Sequence, residues 1–121
     1  MTKILVVDDD PGILEALTLA LQSVGYTVEG TGNAQEVIER VQTFKPDLVI
    51  LDLLLSGING TQICRTLKDT QETASLPVLM ISAHPSAARA VAESGADGFL
   101  PKPFDARTLF ERVERFAAPA A

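Results

Sequence analysis

Five short apolar runs alternate with stretches of helical periodicity, and that alternation restricts the fold more than any other feature of the chain. The runs are Ile4 to Val7, Thr27 to Glu29, Leu48 to Leu51, Val78 to Ile81 and Gly98 to Leu100. Those in the middle are unbroken, as expected of strands buried on both faces. After the first run, Ile13, Leu14, Leu17, Leu21 and Val24 recur at helical spacing, with Pro11 suited to the first turn and Gly25 just past the end. Asn33 with Glu36 three places on predicts a variant capping box for a second helix, which carries Val37, Ile38 and Val41 and is broken by Lys45-Pro46-Asp47. A third helix from Gly60 to about Lys68 turns Ile63, Cys64 and Leu67 inward. The fourth, around Ser86 to Ser94, is alanine-rich and expected to be the least firmly packed. The fifth opens at Asp105 and carries Leu109, Phe110, Val113 and Phe116. Strand and helix repeated five times imply an α/β fold, a doubly wound parallel sheet with helices on both faces. Residues 1–116 are read as one domain and 117–121 as a tail or the start of a linker.

In such a sheet, ligands bind beyond the carboxyl ends of the strands. The first strand ends at Asp8 and Asp9, the third at Asp52, the fourth at Ser82, and the fifth runs to Lys102. Carboxylates this close repel one another and resist losing water, so either solvent or a cation belongs between them. Asp10, just before Pro11, has the simpler reading of a helix cap. Three carboxylates and an ammonium suit a hard, oxygen-loving ion such as magnesium, with manganese as the other candidate. No Cys or His cluster offers a zinc site, and His84 reads as a loop residue. Magnesium beside a lysine implies phosphate chemistry, and a carboxylate can itself be the phosphoryl acceptor.

Composition excludes other classes. The net charge of −6 argues against direct nucleic-acid binding. Cys64 is the single cysteine, so no internal disulfide forms, and it reads as a core thiol in a reducing compartment. The longest apolar runs, such as "LVIL" at 48–51, are far too short to span a bilayer. With no signal-peptide pattern at the start, the expectation is a cytoplasmic domain without membrane insertion. Phe110 and Phe116 read as packing residues, and Arg107, Arg112 and Arg115 as a solvated helix face.

The segments "VVDDDP" (6–11), "LVILDLLLSGING" (48–60), "VLMISAH" (78–84) and "GADGFLPKPF" (95–104), in this order and spacing, resemble the receiver domain of two-component response regulators. The resemblance implies a flavodoxin-like, five-stranded parallel sheet of order 2-1-3-4-5 with five helices. It implies that Asp52 accepts a phosphoryl group from a phosphohistidine on a sensor histidine kinase or phosphotransfer protein. Asp9, Asp52 and the Leu54 backbone carbonyl would hold Mg2+, with Asp8 acting through water. Lys102 would pair first with the Asp52 carboxylate and then with a phosphate oxygen, Ser82 would hydrogen-bond another phosphate oxygen, Phe99 would swing as the switch aromatic, and the Lys102–Pro103 peptide would be cis. The signal would pass to an output domain or docking partner. Such a domain is a phosphoryl acceptor that assists its own phosphorylation and dephosphorylation, not a conventional enzyme. The chain departs from the family pattern at Ser56, often proline, at Phe99, often tyrosine, and at Gly98, where regulators that dimerise often have an acid; dimerisation is left open. Leu54 and His84 flank the expected phosphoryl position, either tuning water there or simply facing solvent.

Three rival readings stand beside this one. A haloacid-dehalogenase-type phosphatase also opens on Asp-x-Asp, which Asp8 and Asp10 imitate, but it leaves Asp52 without a task. A flavin module of similar fold would need a phosphate cradle where three aspartates stand. A receiver that docks without phosphorylation would not need the acceptor, hydroxyl and lysine together. No output module follows Phe116 in these residues, so the chain reads either as a stand-alone receiver or as one that precedes a linker.

Overall fold

Alternate side chains of the central strands go to opposite faces, which is why their sequences are apolar throughout. The computed structural model describes residues 2–55, 58–84 and 87–117. Strands β1 (Lys3–Val7), β2 (Thr27–Thr31), β3 (Leu48–Asp52), β4 (Val78–Ser82) and β5 (Gly98–Pro101) form one parallel sheet in the order β2-β1-β3-β4-β5. Five helices accompany it: α1 (Pro11–Ser23), α2 (Val37–Phe44), α3 (Gly60–Asp69), α4 (Ala87–Glu93) and α5 (Ala106–Ala117).

On one face Ile4, Val6, Ile50, Leu79, Ile81 and Leu100 pack against Leu17 and Leu21 of α1 and Leu109 and Val113 of α5. On the other, Leu5, Val7, Val49, Leu51, Val78 and Met80 meet Val37 and Val41 of α2, Ile63, Cys64 and Leu67 of α3, and Ala87 and Val91 of α4. Each fully buried aliphatic side chain contributes about 1.5–3 kcal/mol, so both interfaces are needed to offset chain entropy. Among the described residues α4 runs over seven positions, fewer than the other four α-helices, and buries Ala87 and Val91. Cys64 lies wholly inside, and burial pushes its thiol pKa up.

Local signals explain the boundaries. Asp10 caps α1, its carboxylate accepting from the Gly12 and Ile13 N–H groups. Gly25 follows the helix with φ +99°, a conformation costly for any residue with a Cβ. Val24, expected inside, is half exposed, because α1 ends at Ser23 and Val24 is already its cap. The capping box at Asn33 does not close. Asn33 caps a single 3-10 turn, Ala34–Glu36, while the Glu36 carboxylate accepts from the Thr31 hydroxyl at 2.9 Å instead of reaching back. A short antiparallel ribbon, Leu54–Leu55 with Ile58–Asn59, follows β3 and was not expected. Lys68 on α3 bonds Asp97 at 2.7 Å and the Leu76 carbonyl at 2.8 Å, while Asp97 accepts from the Val78 N–H, so one ion pair ties α3 and the entry to β5 to the start of β4. Ser56, Ser86 and residues 118–121 lie outside the described residues.

Candidate functional site

Three backbone bonds carry the sheet just past its strands and deliver polar side chains to one edge. The Asp8 N–H donates to the Thr31 carbonyl at 3.2 Å, the Leu53 N–H to Ile81 at 2.9 Å, and the Lys102 N–H to Ser82 at 2.8 Å. Asp8 is thereby fully buried and Asp52 and Ser82 nearly so, while Asp9 stays exposed. Carboxylate oxygens of Asp8, Asp9 and Asp52 lie within 4.8 Å of one another.

The Lys102 Nζ sits between two of these carboxylates, 3.0 Å from Asp8 Oδ2 and 3.3 Å from Asp52 Oδ2. The other Asp8 oxygen accepts from the Asp10 N–H at 2.9 Å. The pairing of Lys102 with Asp8 was not read from the sequence, which gave Lys102 to Asp52 alone. Ser82 Oγ accepts from the His84 N–H at 3.0 Å, which leaves the Ser82 hydroxyl proton available to donate elsewhere. Asp52, Leu54, Ser82, Ala83, His84 and Lys102 line a cavity of about 330 Å3. A larger groove of about 460 Å3 lies at the opposite end of the sheet, beside Lys45, Asp47 and Glu72, away from this chemistry.

One expected site residue stands apart from the cluster. Phe99 is half-buried on β5, packed against the α2–α3–α4 face. Leu54, 61% exposed, lines the cavity from the ribbon, and its backbone N–H bonds the Asp52 carboxylate. The Lys102–Pro103 peptide is cis. Arg112, expected on a solvated face, instead donates from Nη1 to the Phe99 carbonyl at 2.6 Å. The signal was present in the sequence: Arg112 lies three residues after Leu109, directly before Val113, on the flank of the buried stripe.

One ammonium cannot satisfy two buried carboxylates. Burial, and then the Asp8 charge, hold the Asp52 pKa above the ordinary aspartate value, and Lys102 only partly opposes them. Burial alone would lower the Lys102 pKa, but the hydrogen bond to Asp8 and the charges of Asp52 and Asp8 outweigh it, so Lys102 stays protonated. In metal-free protein, 13C NMR of the Asp52 carboxyl should give a midpoint above that of a solvated aspartate. Because a bound cation favours the charged form, added Mg2+ should move the midpoint down. Three carboxylates against one ammonium leave a surplus of two negative charges, and every donor is an oxygen. That set fits Mg2+ or Mn2+.

The family model for the response regulator receiver domain matches residues 4–114. The DNA-binding response regulator MtrA of Mycolicibacterium smegmatis is 39% identical over 113 residues, 92% of this chain and 48% of MtrA. The chain therefore spans about half the length of the curated relatives it matches. A candidate response regulator from Chloroflexus aurantiacus superposes with a TM-score of 0.91 at 35% identity, covering 97% of this chain and 98% of that one. TrrA of Thermotoga maritima, solved in complex with Mg(2+)-BeF, gives 0.87 at 29% identity, covering 96% and 99%. No helix among the described residues is long and apolar enough to cross a membrane. The sheet order, the helices on both faces and the family match agree: this chain belongs to the response regulator receiver domains of two-component systems.

Proposed function

We propose that this domain is a phosphorylation-dependent signalling switch whose acceptor is Asp52. The observation that carries the reading is the convergence of Asp8, Asp9, Asp52 and Lys102 at one edge of the sheet, beside a cavity that Ser82 also lines. An Asp52 oxygen attacks phosphorus of a phosphohistidine on a sensor kinase or phosphotransfer protein. The new P–O bond forms as the P–N bond breaks, and its electron pair stays on the imidazole nitrogen. Asp9, Asp52 and the Leu54 carbonyl would hold Mg2+, and Asp8, whose oxygens already accept from Lys102 and the Asp10 N–H, would act through water. The ion, when bound, neutralises charge at the transferring phosphoryl group.

Lys102 is placed to exchange one oxygen for another, from the Asp52 carboxylate to the phosphate attached to it. Ser82 Oγ donates its proton to a second phosphate oxygen. These new bonds bias the Phe99 ring and the loop after β4 toward an alternative arrangement. Water later hydrolyses the acyl phosphate at the same site. The signal passes to an output domain or docking partner; the MtrA relative is a DNA-binding regulator about twice as long as the matched segment.

Incubation with acetyl phosphate and Mg2+, followed by reduction of the acyl phosphate and peptide mapping, tests the assignment. The modification should fall on Asp52. Modification of Asp8 would point to a phosphatase-like nucleophile instead and overturn the reading.

A further inference from the structure

α5 grips β5 at two successive residues. Arg112 donates to the Phe99 carbonyl at 2.6 Å, and Phe116, one helical turn on, lies over Gly98. The fit at Gly98 is close: a Cβ there would stand 2.7 Å from Phe116 Cε2, 2.8 Å from Cζ and 3.1 Å from Leu79 Cδ1. Among the described residues β5 is the last strand of the sheet, so its outer row of backbone groups meets no further strand there, and Arg112 supplies a donor.

The Phe99 side chain belongs to the other face. It packs into the cluster that contains Ala87 and Val91, the two buried residues of α4. A single β5 residue therefore has its carbonyl fixed by α5 and its ring packed into the cluster that α4 helps to form, and α4 itself lies alongside β5. The two helices are held unequally. α5 has Leu109 and Val113 buried in addition to the Arg112 and Phe116 contacts, whereas the described residues of α4 number seven and bury two side chains, Ala87 and Val91. Elements with few buried contacts are the ones that move at low cost.

We propose that Arg112 is a positioning residue that locks β5 to α5, so that occupancy of the Asp52 site is transmitted through the Phe99 ring and α4 while α5 stays still. The inference rests on the phosphoryl-switch reading above. It gives Arg112 a task that a charge on a solvated helix face would not have: it separates the moving side of β5 from the fixed side.

The test is hydrogen exchange of the full 121-residue chain, with and without Mg2+ plus beryllofluoride, in the parent, Arg112→Ala and Arg112→Lys. In the parent, the fluoride complex should change exchange in residues 87–93 severalfold and leave 106–116 within about twofold. In Arg112→Ala, residues 106–116 should exchange at least tenfold faster and become responsive to the complex. Arg112→Lys, which keeps a donor, should return toward the parent. A purely structural arginine would speed α5 exchange without making it responsive. An α5 response in the parent as large as that of α4, or an unresponsive α5 in Arg112→Ala, would overturn the proposal while leaving the switch reading in place. No response anywhere in the parent would overturn the switch reading, and the proposal with it.

Discussion

Withdrawing divalent metal should slow phosphoryl transfer to Asp52 at least about a hundredfold and leave the protein folded. The site holds Asp8, Asp9 and Asp52 with their oxygens within 4.8 Å, only partly offset by the Lys102 ammonium. An incoming phosphoryl group is itself negative, so on the proposed function the metal-free site repels its own substrate. A bound cation supplies several kcal/mol of charge stabilisation, and each 1.36 kcal/mol is about tenfold in rate. The fold should survive because its two apolar clusters are built from other residues. The converse also holds: Mg2+ at a hundred times its dissociation constant should stabilise the domain by about 2.7 kcal/mol, a rise on the order of 10 °C in Tm. Asp9→Asn should reduce both effects without disturbing packing, since Asp9 is exposed. Rates of acetyl phosphate incorporation with and without chelator, beside a circular dichroism melt, measure all three. Equal rates in chelator would remove the metal from the chemistry of Asp52.

The parts of the molecule visible in its sequence share a physical cause. A parallel sheet sends every strand in the same direction, so reading the strand ends at Asp8, Asp52, Ser82 and Lys102 was enough to bring them to one edge. What escaped was decided by contacts between distant segments or by competition within short ones. The Lys102–Asp8 bond joins residues 94 apart, and nothing local tells Lys102 to divide itself between two carboxylates. Lys68 finds Asp97 across 29 residues in the same way. Glu36 had more than one possible partner, and the Thr31 hydroxyl at the end of β2, together with Arg40 at 3.8 Å, prevailed over the Asn33 N–H. The ribbon at Leu54–Leu55 and Ile58–Asn59 has strands of two residues, too short to show any period. Arg112 was misread because charge was weighed above position: its place on the helix already put it beside Val113.

Gly60→Ala should be the most damaging small substitution in the chain, costing about 3 kcal/mol and lowering Tm by about 10 °C. Gly60 opens α3, where Asn59 caps the helix through the Thr61 N–H at 2.9 Å, and it is buried. Its N–H donates to the Leu53 carbonyl. A Cβ at this position would collide with the backbone oxygen of Asp52 and come within 3.1 Å of Leu53 Cα and of the Leu53 carbonyl oxygen. All three neighbours are backbone, so no side chain can rotate away. Helix propensity pulls in the other direction, with alanine favoured over glycine by at most about 1 kcal/mol, so the steric cost wins. The damage should also reach the site, because the atoms that must yield belong to Asp52 and to the residue after it. Gly25→Ala provides the contrast. Nothing lies within 4 Å of its Cβ position, and only the φ of +99° is violated. That change should cost about 1–2 kcal/mol and leave Mg2+ affinity unchanged, whereas Gly60→Ala should weaken it. Melts and Mg2+ titrations of both variants decide the matter: a Gly60→Ala protein as stable as the parent would mean that α3 does not start against the Asp52 backbone.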